Sequence, residues 1–71
     1  MKITGTTDQT ALQVDNGTTV LNGGLILGTS SHTPPLNSND PGTKGEVRFD
    51  TDYIYIYVDD NVWKRSSLST W

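Results

Sequence analysis

The strongest pattern of hydrophobic and polar positions lies in the second half of the chain. Val47 and Phe49 alternate with Glu46, Arg48 and Asp50, and Thr51-Asp52 interrupts. Tyr53-Ile54-Tyr55-Ile56-Tyr57-Val58 then alternates two kinds of apolar residue, Asp59-Asp60-Asn61 interrupts again, and Val62-Trp63-Lys64-Arg65-Ser66 resumes. Period-two runs bounded by Asp and Asn predict a three-stranded antiparallel meander, followed by Ser67 to Trp71 as a turn of helix or an extended tail. Successive side chains of a strand leave on opposite faces, so Ile54, Ile56 and Val58 share one face while Tyr53, Tyr55 and Tyr57 share the other. Both faces call for cover and no helical period is present to supply it. The expected cover is another copy or another protein, most economically in a symmetric homo-oligomer.

A sparser alternation precedes it. Leu12 and Val14 lead to the turn residues Asp15-Asn16-Gly17-Thr18, then Val20, then Asn22-Gly23-Gly24, then Leu25 and Leu27. Short strands carrying about two inward side chains each cannot close a core alone. Residues 1–28 are therefore expected to form a thin intertwined β region, an attachment segment or trimer stalk to which each of three chains gives one apolar stripe. Between the two patterns, Pro34, Pro35 and Pro41 stand among Ser, Thr and Asn residues, with Leu36 as the single apolar anchor. Residues 29–45 read as a linker of polyproline or turn character, and residues 46–71 as a separate β module.

Composition sharpens this to an all-β reading. Eleven Thr and seven Gly stand against one Ala in 71 residues, a poor basis for helix. With no cysteine, neither a disulfide framework nor a Cys-based zinc site is available to a chain of this size. The net charge is −3, and the cations Lys2, Lys44, Arg48, Lys64 and Arg65 are scattered, which argues against a nucleic-acid partner. No apolar run approaches a membrane span, so no membrane partner is expected. Met1-Lys2-Ile3-Thr4-Gly5 has no apolar region behind its lysine, so the expectation is a protein made in the cytoplasm without a secretory signal.

The candidate chemistry is thin. His32 is the single histidine and no base or nucleophile is placed beside it by spacing, so catalysis is not expected. Asp50, Asp52, Asp59, Asp60 and Asn61 lack the spacing of a calcium loop. They read as turn residues capping local N–H groups, with a divalent ion on a three-fold axis as the alternative. No cofactor is implied. Asn16-Gly17-Thr18 matches a glycosylation sequon but reads as a turn. Arg48 and Arg65 are expected to pair with Asp50, Asp52 or Asp59 across strands. Tyr53, Tyr55, Tyr57 and Trp63 either pack between subunits or present an aromatic platform to glycans.

The stretch Gly42-Thr43-Lys44-Gly45-Glu46-Val47-Arg48-Phe49-Asp50, the Tyr/Ile strand, and Asn61-Val62-Trp63-Lys64-Arg65-Ser66-Ser67-Leu68-Ser69-Thr70-Trp71 resemble C-terminal modules of tailed-phage fibre and virion proteins. The plan is similar to the fibritin foldon, with Val47, Phe49, Trp63, Leu68 and Trp71 at the matching positions and the strand 53–58 inserted. The resemblance implies a homotrimer with Trp63 packed near the three-fold axis. The expected interface comprises Leu12, Val14, Val20, Leu25, Leu27, Val47, Phe49, Ile54, Ile56, Val58, Trp63, Leu68 and Trp71. The implied function is that of a non-enzymatic structural protein of the virion, a capsid decoration, cement or head-fibre protein. Its partners would be its own copies and the major capsid protein or a fibre or tail component. A tail-fibre or receptor-binding tip recognising host surface glycan is the alternative. A cellular interaction module that uses its sheet edge for strand addition is a third reading.

Overall fold

The computed structural model describes residues 2–5 and 10–71. Parts of the expected 1–28 region, Met1 and residues 6–9, lie outside the described residues. The fold is all-β: strands β1 (Val47–Phe49), β2 (Tyr53–Asp59) and β3 (Val62–Ser67) form one antiparallel sheet in the order β1-β2-β3. These are the three strands that the alternation predicts, with ends shifted by one or two residues. Among the described residues the helical content is a 3-10 turn over Thr29–His32.

Each hairpin is set by its turn residues. At the first, Asp50 Oδ1 accepts from the backbone N–H groups of Asp52 and Tyr53, both at 2.8 Å, an Asx arrangement that holds the chain reversal. At the second, Asn61 takes φ 57°, and the register shifts between Tyr57 and Asp59. A left-handed residue paired with a bulge is a common way to close a tight hairpin, and Asn tolerates that conformation better than most side chains. Asp59 Oδ1 accepts from Asp60 N–H. Asp50 and Asp59 thus serve the capping role expected of them.

The expected linker is not a spacer. Residues 33–45 form a strap across the tyrosine face of the sheet, pinned at several points. Trp63 N–H donates to Ser38 O at 2.7 Å, and Arg48 Nη1 donates to Thr33 O at 3.0 Å. Gly45 N–H donates to Tyr57 O at 2.9 Å, which carries the strap into β1. Asp40 Oδ2 accepts from Leu36 N–H at 2.6 Å and from Asn37 N–H at 3.2 Å, fixing the bend in the middle. At Gly42 the contact is so close that a Cβ would stand 2.8 Å from Trp63 Cζ2, so only glycine fits without displacement.

Beneath this strap lies the core, in which Tyr55, Tyr57 and Trp63 are 6%, 5% and 6% exposed. The expectation that so short a chain has no second layer is corrected here: the proline-rich segment supplies one. Prolines need no ladder partners, and the strap is tied by Asp40 within itself and by Arg48, Tyr57 and Trp63 of the sheet. The expectation of N-terminal strands is also corrected for a single chain. Residues 10–28 contain turns, with Gly17 at φ 85° and Gly24 at φ 118°, and form no strand. A stretch with two apolar side chains per segment has nothing within its own chain to pair with.

Candidate assembly surface

Residues opposite one another in an antiparallel pair share a face. Val47 opposes Ile56 and Phe49 opposes Ile54, so these four make one aliphatic and aromatic surface, continued on β3 by Lys64 and Ser66. Its edge near Phe49 is shielded by the 3-10 turn, where the His32 ring meets Phe49 edge-on with centroids 4.4 Å apart. Val47, Phe49 and Ile54 are half-buried, while Ile56 and Val58 remain 40% and 44% exposed. His32, for which no catalytic role is expected, remains exposed yet packs against this ring.

On the opposite face the tyrosine hydroxyls are satisfied within the chain, while the buried Trp63 Nε1 has no hydrogen-bond partner among the described residues. Tyr55 Oη donates to Asp50 Oδ2, and Asn61 N–H donates to Tyr57 Oη at 2.6 Å. The Tyr55 hydroxyl and the Asp52 N–H beside Asp50 hold its carboxyl below the usual carboxylate range, and the same hydroxyl bond, with burial, pushes the Tyr55 phenol up. Arg65 lies with its guanidinium carbon 4.1 Å above the Tyr53 ring. The expected cross-strand pairing of Arg48 with an aspartate is replaced by a closer partner: Glu46, two residues away on the same face, receives both Nε and Nη2 at 2.7 Å. Asp59 instead pairs with Lys44 of the strap at 3.4 Å.

These placements redistribute the expected site residues. Tyr55 and Tyr57 do not form an exposed glycan platform, because the strap covers them, while Tyr53 is half-buried beneath Arg65. Trp63 is buried by its own chain rather than presented to neighbours. Leu12, Val14, Val20 and Leu25 are exposed, Leu27 is half-buried, and Leu68 and Trp71 are exposed. The structure therefore brings together Val47, Phe49, Ile54, Ile56 and Val58 and leaves the N-terminal stripe apart from them. Among the described residues, no cluster of three His, Cys, Asp or Glu side chains is arranged to hold a metal ion, and no helix is long and apolar enough to cross a membrane.

Sequence reasoning missed Ser38 and the close packing at Gly42 as structural determinants. Asp40-Pro41-Gly42 signals a turn, which accounts for Asp40. The contact of Gly42 with Trp63 joins distant residues and has no local signature.

No family model matches this chain, and no solved structure matches it. The chain is similar to a capsule-specific depolymerase of Klebsiella phage K5-2, with 36% identity over 53 residues. That stretch is 75% of this chain and 7% of the depolymerase. The likeness is thus to a small part of a much longer phage protein.

Proposed function

We propose that this chain is a non-catalytic, fibre-type structural module of a phage virion that assembles as a homotrimer and attaches to another virion component. The observation carrying the reading is the exposure of Ile56 and Val58, beside half-buried Ile54, on the face of the sheet that the strap does not cover. An apolar face of this kind is stabilised by association, and the phage likeness supplies the setting. That the matched stretch is 7% of its relative supports a folding or joining role rather than a complete catalytic unit. The foldon-like plan of residues 42–71 supports three-fold assembly, with the aliphatic face in the role first given to Trp63. A capsid decoration, cement or head-fibre role and a tail-fibre role both follow from this reading, and the location of the chain in intact particles by cryo-electron microscopy decides between them.

Light scattering on the full chain tests the assembly: the expected mass is three times the 7.8 kDa chain mass. Ile56→Asp places a charge on the open face without touching the strap. It is expected to leave the circular dichroism spectrum in place while shifting the mass toward the monomer. A wild-type chain that stays monomeric at high concentration removes the reading. A second reading, recognition of host capsule glycan, is favoured by the capsule specificity in the relative's description. Binding of the purified protein to encapsulated cells, lost on enzymatic removal of capsule, is its test.

A further inference from the structure

We infer that the outer edge of β3 is a strand-addition site, and that its occupant is an extended stretch of residues 10–28 from a second copy of this chain. The inference rests on the oligomeric reading above and specifies which backbone groups join the copies.

The direction of each backbone group follows from the hydrogen bonds. Tyr57 N–H donates to Glu46 O at 3.0 Å, Tyr57 O accepts from Gly45 at 2.9 Å, and Tyr53 O accepts from Asp50 at 3.0 Å. Tyr53, Tyr55 and Tyr57 therefore turn their backbone groups toward β1, and Ile54 and Ile56 turn theirs toward β3. Ser66 and Lys64, which oppose Ile54 and Ile56, point inward, so Trp63, Arg65 and Ser67 point outward. Ser38 O takes the Trp63 N–H. The strap goes no further along the edge, and among the described residues Arg65 and Ser67 have no backbone partner on that side. Charged side chains ordinarily guard such edges. Here the Arg65 guanidinium is drawn over Tyr53, and Lys64 belongs to the aliphatic face.

Beside the open edge is a cavity of about 130 Å³ lined by Pro35, Leu36, Asn37, Tyr55, Trp63 and Arg65. An added strand sends alternate side chains to the two faces of the sheet, so one set meets this cavity and the other extends the surface of Ile54 and Ile56. Residues 10–28 carry the spacing required: Leu12 and Val14 stand two apart, as do Leu25 and Leu27, with Gln13 and Ile26 between. They form no strand in their own chain, and Ile26 is 96% exposed. Residue 28 leads into the 3-10 turn that packs on Phe49 of β1, so a copy's own residues 25–28 start from the edge of the sheet opposite β3. Donation from each copy to the next is a head-to-tail contact, which closes when three copies complete the ring.

The test pairs Arg65→Pro with Arg65→Ala in the full chain. Proline removes one outward N–H that has no backbone partner within the chain, and edge positions accept it; the loss of the Arg65 side chain is common to both variants. Alanine drops the side chain and keeps the N–H. Light scattering over a dilution series is combined with amide hydrogen exchange. Arg65→Pro is expected to weaken association about tenfold or more with Trp63 fluorescence unchanged, and Arg65→Ala to stay within about threefold of wild type. In the wild type, residues 10–28 and the amides of Arg65 and Ser67 gain protection as concentration rises. Equal association of the two variants overturns the edge while leaving the oligomer intact, and a monomeric wild type overturns both. Protection of residues 10–28 that is independent of concentration means pairing within one chain and overturns the second-copy occupant. If Arg65→Pro does not fold, the wild-type exchange decides, since an unprotected Ser67 amide in the oligomer overturns the site.

Discussion

The two faces of β2 are built from side chains of similar bulk yet have opposite fates. The tyrosines lie under the strap and the aliphatic residues remain open, although burying Ile and Val is the more favourable per unit area. The difference lies in what the strap can offer. A segment of Pro, Ser, Asn and Gly carries many backbone carbonyls and few apolar side chains. It fits aromatic rings, on which Gly42 closes directly and whose hydroxyls are already satisfied within the sheet by Asp50 and the Asn61 N–H. Aliphatic side chains gain nothing from such a cover and require an apolar partner. Hydrophobicity alone therefore did not decide which face turned inward. The chemistry of the available cover did.

Trp63→Ala breaks the covered face most severely. The residue is buried beneath Gly42 and beside Tyr57, so truncation is expected to cost about 3 to 5 kcal/mol, measured by urea unfolding. That cost is intrachain, so it persists at concentrations where no oligomer forms. Gly42→Ala is next. Its new Cβ meets Trp63 and Tyr57 at 2.8 and 3.0 Å, and lifting the strap is expected to cost about 1 to 3 kcal/mol, read from the melting curve and a red shift of Trp63 emission.

Smaller effects sharpen the polar side of the comparison. The lowered Asp50 carboxyl stabilises the fold fully above its ordinary value of about 4, and that contribution is lost as acid carries the group through its lowered value. The raised Tyr55 phenol acts in the opposite sense: its contribution is complete below about 10 and is lost as pH rises through the raised value. Urea midpoints measured from acid to alkali should fall at both ends, and Asp50→Asn should flatten the acid limb. His32→Ala has the smallest effect. It removes one exposed edge-on ring contact to Phe49 worth about 0.5 kcal/mol, visible as a slight fall in melting temperature.

The meander was legible because its signals are local. Alternation located all three strands, and Thr51-Asp52 and Asp59-Asp60-Asn61 marked both reversals. The strap was not legible, because its anchors join residues distant in sequence: Ser38 with Trp63, Thr33 with Arg48, and Gly42 with Tyr57 and Trp63. Three prolines without a period gave no hint of a docked layer. The candidate surface was half legible. The two-face division of β2 was correct, while the face closed by the chain itself depended on the strap.

The bond between Trp63 N–H and Ser38 O also has a kinetic meaning. The hairpins close over a few residues, whereas this contact spans 25 positions and the Arg48 bond to Thr33 spans 15. Local closures precede distant ones, because longer loops lose more entropy before their contacts form. The meander therefore assembles first and the strap docks last, leaving an interval in which the Trp63 amide is unclaimed. During that interval a nascent chain offers a longer strand edge than the mature fold, and docking of the strap shortens the edge to Arg65 and Ser67.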